Sequence, residues 1–546
     1  MRRYKLLSFN KLFIISILLF IFGCSSESEV SPPDSIDAQI LHLGNGTEPQ
    51  GLDPHVVTGV TEHNVIMSLL EGLVGLHPAT LVPVPAVAES WEVSEDGTKY
   101  VFNIRDSAKW SNGDPVTSND FIYSWKRALT PELGNQYAYM LYPIVNAEAY
   151  NIGEIENFNL VGIRSLDEKK LEVNLRASTP YFLGLLDHDS TFPVHKPTIE
   201  KFGDIDTRDS EWTRAGNFIG NGPFTLKLWE QNRIIIVEKN PHYWDTATVK
   251  LNEIHFYPTD QTATEERMFR TGKLHLSYSI PLEKIATYKK ENPELLQIHP
   301  YLGTYYYDLN ITIPPLDNVN VRRALAMSID RESIVKNITK GGQKPAYTLT
   351  PPDTLGYTAN AAIPYDIEKA KQLLAEAGFP DGKGFPKLQL LYNTLESHQQ
   401  IAVAIQQMWK QALNIDISLT NQEWKVYLDT RSAMDFQIAR ASWIGDYIDP
   451  NTFLDMFVTN GGNNHTGWSN DEYDQLITQA SFTANQEARY KLFQHAEEIL
   501  ADEAPIIPIY TYARIFLQSP EVKGWHPNLL DRHPYKYVYL ETNNQN

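Results

Sequence analysis

Residues Ala88 to Leu129 read AESWEVSEDGTKYVFNIRDSAKWSNGDPVTSNDFIYSWKRAL, and the reading of this stretch decides the fold class. Trp91, Val93, Tyr100, Phe102 and Ile104 supply the faces of two strands, and Asp96-Gly97 supplies the turn between them. Further on, Phe121, Trp125 and Leu129 recur every four residues, a stripe that faces a core. Ser118 stands where such a helix needs its cap. Strands and an amphipathic helix in one stretch predict a mixed α/β chain.

The same pattern extends outward. Leu171 to Arg176, Arg233 to Glu238, Ile254 to Tyr257 and Ile415 to Leu419 read as strands, several bounded by Gly, Asn or Pro. Helical spacing occupies Val321 to Val335, Ile367 to Ala377 with Gly378 as its C-cap, Gln399 to Ala412, and Glu472 to Ala480. The chain has 546 residues, 42% of them hydrophobic, which exceeds what one core usually serves. Two or three lobes are expected. With no fixed-period repeat and no long linker, the chain should cross between them more than once.

The N-terminus reads as an address. Arg2, Arg3 and Lys5 precede an apolar run from Leu12 to Phe22 broken only by Ser16. That run is shorter than the roughly 20 residues a spanning helix needs, so a cleaved signal is favoured over a transmembrane anchor. A polar, proline-containing segment, Ser25 to Asp37, then reads as a tether, and folding should begin near Gln39.

Loss of Arg2, Arg3, Lys5 and Lys11 with the signal takes the formal charge from −20 to −24, which argues against a nucleic-acid partner. Cys24 is the only cysteine, so neither an internal disulfide nor a paired-thiolate metal cluster is possible. The sequence has no phosphate loop, no nucleophile elbow and no H-E-x-x-H pair. No catalytic residue, cofactor or metal ligand is assigned. Distant Ser, His and Asp residues could still converge, which keeps an enzyme as the disfavoured alternative. Gly44-Asn45-Gly46 is read as an ordinary tight turn, not a phosphate cradle.

As a composite, the quoted stretch (A-E-S-W, D-G, strand, A-K-W, G-D-P-V-T, aromatic helix) resembles the large extracytoplasmic solute-binding proteins, family 5, that serve peptide and nickel ABC importers. The likeness continues through Leu52-Asp53-Pro54-His55, Asn221-Gly222-Pro223-Phe224, Asn240-Pro241-His242-Tyr243-Trp244, Tyr305-Tyr306-Tyr307 and Val321-Arg322-Arg323-Ala324-Leu325. From Leu391 to Pro450 it is most similar to the oligopeptide-binding proteins of Gram-negative bacteria. The resemblance implies a type II periplasmic-binding-protein fold with a smaller third lobe. Residues 1–23 would be the signal peptide and 24–38 the lipoprotein tether. The first lobe would take 39–70, 196–302 and 517–546, the second 71–195, and the third 303–516, with hinge crossings near Tyr301 and Leu517. Ile21-Phe22-Gly23-Cys24 resembles a lipobox, with Cys24 acylated and ordinary cleavage nearby as the alternative.

The resemblance also implies a binding mechanism, in which a buried peptide must have its two charged ends and its amides satisfied. Asp446 matches the aspartate for the peptide's α-ammonium, the alternative being a solvated loop carboxylate. Arg440 and His398 match residues for its carboxylate. Lys340 lies where a lysine serves longer peptides, although Thr339 occupies the matching column. Gly59, Val60, Ala441, Ser442 and Trp443 match segments whose main chain pairs with the ligand. Trp424 and Trp443, with Tyr137, Tyr139, Tyr278 and Tyr305, are side-chain pocket candidates, each tyrosine nearly as suited to a core. Where relatives carry two cross-linked cysteines, this chain has Gly303 and Ile444. The implied role is capture of short peptides for ABC importer permease subunits, by a monomer lipid-anchored in the periplasm. Cell-wall peptides, a nonpeptide solute such as nickel or haem, and a ligand-sensing role remain as alternatives.

Overall fold

The computed structural model describes residues 36–542. Cys24 and the signal and tether expected before Ile36 lie outside the described residues. Three sheets organise the rest. In the first, Ile40–Gly44 runs parallel to Glu253–Tyr257, which continues antiparallel to Ile234–Lys239 and then Phe224–Glu230. The second is antiparallel, in the order Ala88–Val93, Lys99–Ile104, Lys170–Asn174, Ile163–Asp167. Its hairpin turns at Gly97, whose φ is +70°, a conformation open to glycine at little cost.

The third sheet is mixed and carries the site. Its strands are β1 (Leu296–Leu309), β2 (Lys344–Pro345), β3 (Leu388–Asn393), β4 (Ile417–Gln422), β5 (Ile438–Ile444) and β6 (Ile506–Leu517), ordered β2-β6-β1-β5-β3-β4. β1 and β6 are long, and their register slips between Pro300 and Thr304 and between Tyr305 and Tyr306. Tyr301 falls in the first slip. Leu517 closes the other end, accepting from Ser277 N–H at 2.9 Å and so joining this sheet to the segment beside the first. The boundary expected at 303 therefore falls inside a continuous strand that starts at Leu296.

Four helices matter for the site: α1 (Val60–Leu69), α2 (Ser118–Leu129), α3 (Glu396–Leu413) and α4 (Trp424–Ser432). Phe121, Trp125 and Leu129 of α2 are fully buried, as their spacing requires. The cap of α2 is Thr117, not Ser118. Asp120 closes the turn by accepting from the Thr117 N–H at 2.7 Å, while the Ser118 hydroxyl donates to Asp167 O at 2.6 Å.

Val321 to Val335 is likewise not one helix. It breaks after Met327 and restarts at Arg331, because Asp330 caps the new turn on Ser333 N–H at 2.9 Å. The fully buried Arg331 guanidinium holds the break by donating to Pro508 O at 2.7 Å and Ala326 O at 3.1 Å.

Candidate functional site

β5 sets the geometry of the candidate site. Gly445 N–H donates to Leu302 O at 2.7 Å, and Thr304, Tyr306 and Asp308 stand opposite Trp443, Ala441 and Ala439. In an antiparallel ladder, residues of alternate pairs turn their N–H and C=O groups to opposite edges. Ala441 and Trp443 therefore spend theirs on β1. Arg440, Ser442 and Ile444 turn theirs to the other edge, which β3 pairs only as far as Ala439. The Arg440 carbonyl accepts from the Tyr427 hydroxyl. Past that point the edge opens onto two cavities, of about 250 and 130 Å³, that share Val60, Tyr301, Trp424, Arg440, Ser442 and Ile444.

The smaller cavity ends at Asp446, just past β5, with 9% of its surface exposed. Its N–H is tied to the Thr452 hydroxyl at 3.0 Å, and its Oδ1 lies 3.4 Å from His188 Nε2. Among the described residues, its Oδ2 is buried without a hydrogen-bond partner. A buried carboxylate oxygen left unpaired is costly, and a cation donor entering the cavity would relieve that cost.

The larger cavity takes Arg440 and His398 into its wall. Arg440 is positioned by Asn393 Oδ1 at 3.3 Å, by the Tyr512 hydroxyl at 2.8 Å and by the Tyr305 ring 4.8 Å below its guanidinium. Among the described residues it has no ion-pair partner. His398, on α3, is buried, and burial together with the Arg440 charge pushes its pKa well below the usual value. Its Nδ1 is also unpartnered among the described residues.

The remaining predicted residues sort by position. Gly59 caps α1 and has no room for a Cβ, which would collide with Glu62 Oε2 and reach Trp424 Cζ2 at 3.0 Å. Trp424 lines both cavities, its Nε1 donating to Glu62 Oε1 at 3.2 Å. Trp443 and Tyr137 line the smaller cavity as a stacked pair 5.8 Å apart, and Tyr278 lines the larger. Tyr139 and Tyr305 line neither. Tyr139 packs behind Tyr137 at 5.8 Å, and the wholly buried Tyr305 supports Arg440. Thr339 reaches the larger cavity, whereas Lys340 is exposed at a left-handed φ of +54° and lines neither. The Gly44-Asn45-Gly46 turn packs instead of cradling: Asn45 donates to Thr61 O at 3.0 Å, and Gly46 lies against the Tyr278 ring.

Sequence reasoning missed the groups behind Asp446, namely His188, Asp189, His63 and Arg532, all of which line its cavity. The one local signal was Asp187-His188-Asp189, a run of charge in an apolar context. Arg514, paired with Asp531 in the larger cavity, was missed too.

The family model for the middle of the bacterial extracellular solute-binding proteins, family 5, matches residues 82–465. The chain belongs to that family. It is 38% identical to the periplasmic oligopeptide-binding protein OppA of Salmonella typhimurium over 530 residues, 94% of this chain and 95% of that one. Among solved structures, this family 5 chain superposes on Haemophilus influenzae OppA in complex with the peptide RPPGFSPFR with a TM-score of 0.88. That match has 35% identity and covers 92% of this chain and 99% of the other. The Escherichia coli murein tripeptide binding protein MppA gives 0.88 at 36% identity, covering 92% and 99%. The unliganded open form of MppA gives only 0.62 at the same identity, covering 92% and 98%. The lobes of this family 5 protein are therefore arranged as in the peptide complex, not as in the open form.

Proposed function

We propose that this chain captures short peptides between its lobes and delivers them intact to the permease subunits of an ABC importer. One observation carries the reading. Among the described residues, a buried carboxylate with a free oxygen, Asp446, and a buried guanidinium without an ion-pair partner, Arg440, bound two connected cavities, and the edge of β5 that β3 leaves open runs between them. A peptide offers the matching ammonium, carboxylate and row of amides. Ser442 and Ile444 would add the ligand as a further strand, a contact that reads no sequence. Trp424, Trp443, Tyr137 and Tyr278 would accept varied side chains.

Delivery rather than turnover is the expected outcome, with the chain acting as a monomer tethered in the periplasm through acylated Cys24. Native mass spectrometry of untagged protein tests the substrate class, with a mixture of masses spaced as peptides of a few residues expected. A single nonpeptide mass would overturn it. Labelled peptides recovered cleaved after incubation would support an enzyme instead. For the anchor, Cys24→Ser should move the protein from the membrane fraction to soluble material.

A further inference from the structure

The network behind Asp446 sets three carboxylates against one guanidinium and two imidazoles. Asp187, Asp189 and Asp446 are grouped about Arg532, whose guanidinium lies 3.3 Å from Asp187 Oδ2 and donates to His63 Nε2 at 3.1 Å and to the Asp446 carbonyl at 3.4 Å. His188 stands between the other two carboxylates. Its Nε2 is 3.4 Å from Asp446 Oδ1 and its Nδ1 is 3.3 Å from Asp189 Oδ1.

The Nδ1 position suits both charge states of the ring. Ser190 N–H donates to Nδ1 at 3.2 Å, which requires a free lone pair and hence a neutral ring. The Ser190 hydroxyl, 2.8 Å away, and Asp189 Oδ1 are ready to accept if Nδ1 gains a proton. In either state Nε2–H faces Asp446. The other groups facing His188 are Asp187, which feels its charge, the Tyr137 ring, 4.4 Å away, His63 on α1, 3.6 Å from Asp189 Oδ2, and Arg532 from the C-terminal segment.

We propose that His188 is the exchangeable counter-charge of the amino-terminal site: it carries a proton beside Asp446 in the empty protein and gives it up when a ligand ammonium takes the free Oδ2. The proton leaves Nδ1 for the buffer, and the Ser190 N–H then donates to the vacated lone pair. Capture of a free-amino ligand releases a proton, and affinity weakens as the solution turns acid. His188 acts through Asp446 and is a positioning residue for the ligand's amino end.

The electrostatics agree with this geometry. Burial disfavours the His188 charge, but Asp189 and Asp446 outweigh it and raise its pKa above the ordinary value. A second cation at Asp446 opposes the His188 charge and lowers that pKa again. Neighbours titrate differently: burial and Arg532 lower His63, burial pushes Asp187 up to about 6, and Asp189 is held well below the usual range against its burial by His188 and His63.

The inference rests on the reading of Asp446 as the ammonium site, and one experiment separates the two. The full chain is titrated calorimetrically with trialanine and with N-acetyl-trialanine, in two buffers of unlike ionisation enthalpy, between pH 5.5 and 7. Wild type should release a substantial fraction of one proton per trialanine, and its Kd should rise toward acid by up to about tenfold per pH unit. His188→Gln should abolish the release and flatten the profile. Free peptide preferred over acetylated peptide with no proton released, or with the same release from His188→Gln, would overturn the role of His188 alone. Equal binding of the two peptides would overturn Asp446 as the ammonium site. Should His188→Gln fail to fold, the His188 ring resonance of wild type decides: its pKa should fall when trialanine binds, and an unchanged titration defeats the proposal.

Discussion

Gly303 and Ile444 stand directly opposite one another in the β1–β5 ladder, and the Ile444 side chain occupies the space that a Gly303 Cβ would need. The same Cβ would lie 2.8 Å from Trp443 O and 3.3 Å from the Tyr512 ring. Ile444 also lines both cavities, so this stretch of their wall is held by one apolar side chain lying over a glycine.

Gly303→Ala should therefore destabilise the protein by about 1–3 kcal/mol, the usual cost of overpacking a tight site. Adding Ile444→Val removes the colliding methyl and should recover part of the loss. Urea unfolding of the two single variants and the double variant measures the coupling. Additive effects would mean that the two residues do not share this space.

Arg440 should be the carboxylate anchor. Truncating a partner in a buried charge pair costs about 2–5 kcal/mol, so Arg440→Gln should weaken tripeptide binding by that amount. Amidating the peptide's C-terminus should weaken wild type comparably and matter little in the variant. Arg440→Lys should not restore full affinity, because an ammonium lacks the planar fork and cannot keep the place between Tyr305 and Tyr512. Calorimetry with the free and amidated peptides checks all three.

How much of this was legible follows from the range of each interaction. The strands and α2 were readable because period two and period four are local signals. The break before Arg331 was not, because its guanidinium is held by Pro508, far along the chain. Asp446, Arg440 and His398 came from family likeness, since nothing in their spacing distinguishes them from surface residues. That Ser442 and Ile444, not Ala441 and Trp443, face the open edge depends on the register with β1. His188 and Arg532 meet only in the fold, which also hides Tyr305 beneath Arg440.

A cluster in the first sheet sets an acid limit on stability. His42 N–H donates to His275 Nδ1 at 3.0 Å, so protonating that nitrogen breaks a buried bond. Burial, with His255 and His275, lowers the His42 pKa to about 3, and burial lowers that of His275 to about 4. Below the unfolded value near 6.5 the unfolded chain binds protons that the folded chain refuses. Stability is then full above about pH 6.5 and falls as the pH drops toward 4, by up to about 1.4 kcal/mol per pH unit for each histidine. Urea midpoints at pH 7, 5.5 and 4.5 should show this slope, and His275→Gln should make it shallower. An unchanged slope would assign the acid sensitivity elsewhere.

Asp446 gives the sharpest separation of outcomes. Asp446→Asn keeps the shape of the side chain but removes the charge from the end of the smaller cavity. If that carboxylate holds the ligand's ammonium, losing one partner of a buried pair costs about 3–5 kcal/mol, or roughly 200-fold to 5,000-fold in affinity. An exposed carboxylate would cost about 1 kcal/mol or less. The 9% exposure of Asp446 and its Oδ2, unpartnered among the described residues, make the larger loss the expected outcome. N-acetylation of a tripeptide should weaken wild type by a comparable factor and matter far less in Asp446→Asn, where the charge it removes has already lost its partner. Calorimetric titration of both proteins with both peptides closes the cycle. Equal affinity of wild type for the free and acetylated peptides would leave Asp446 as a structural carboxylate and require another group to meet the ligand's amino end.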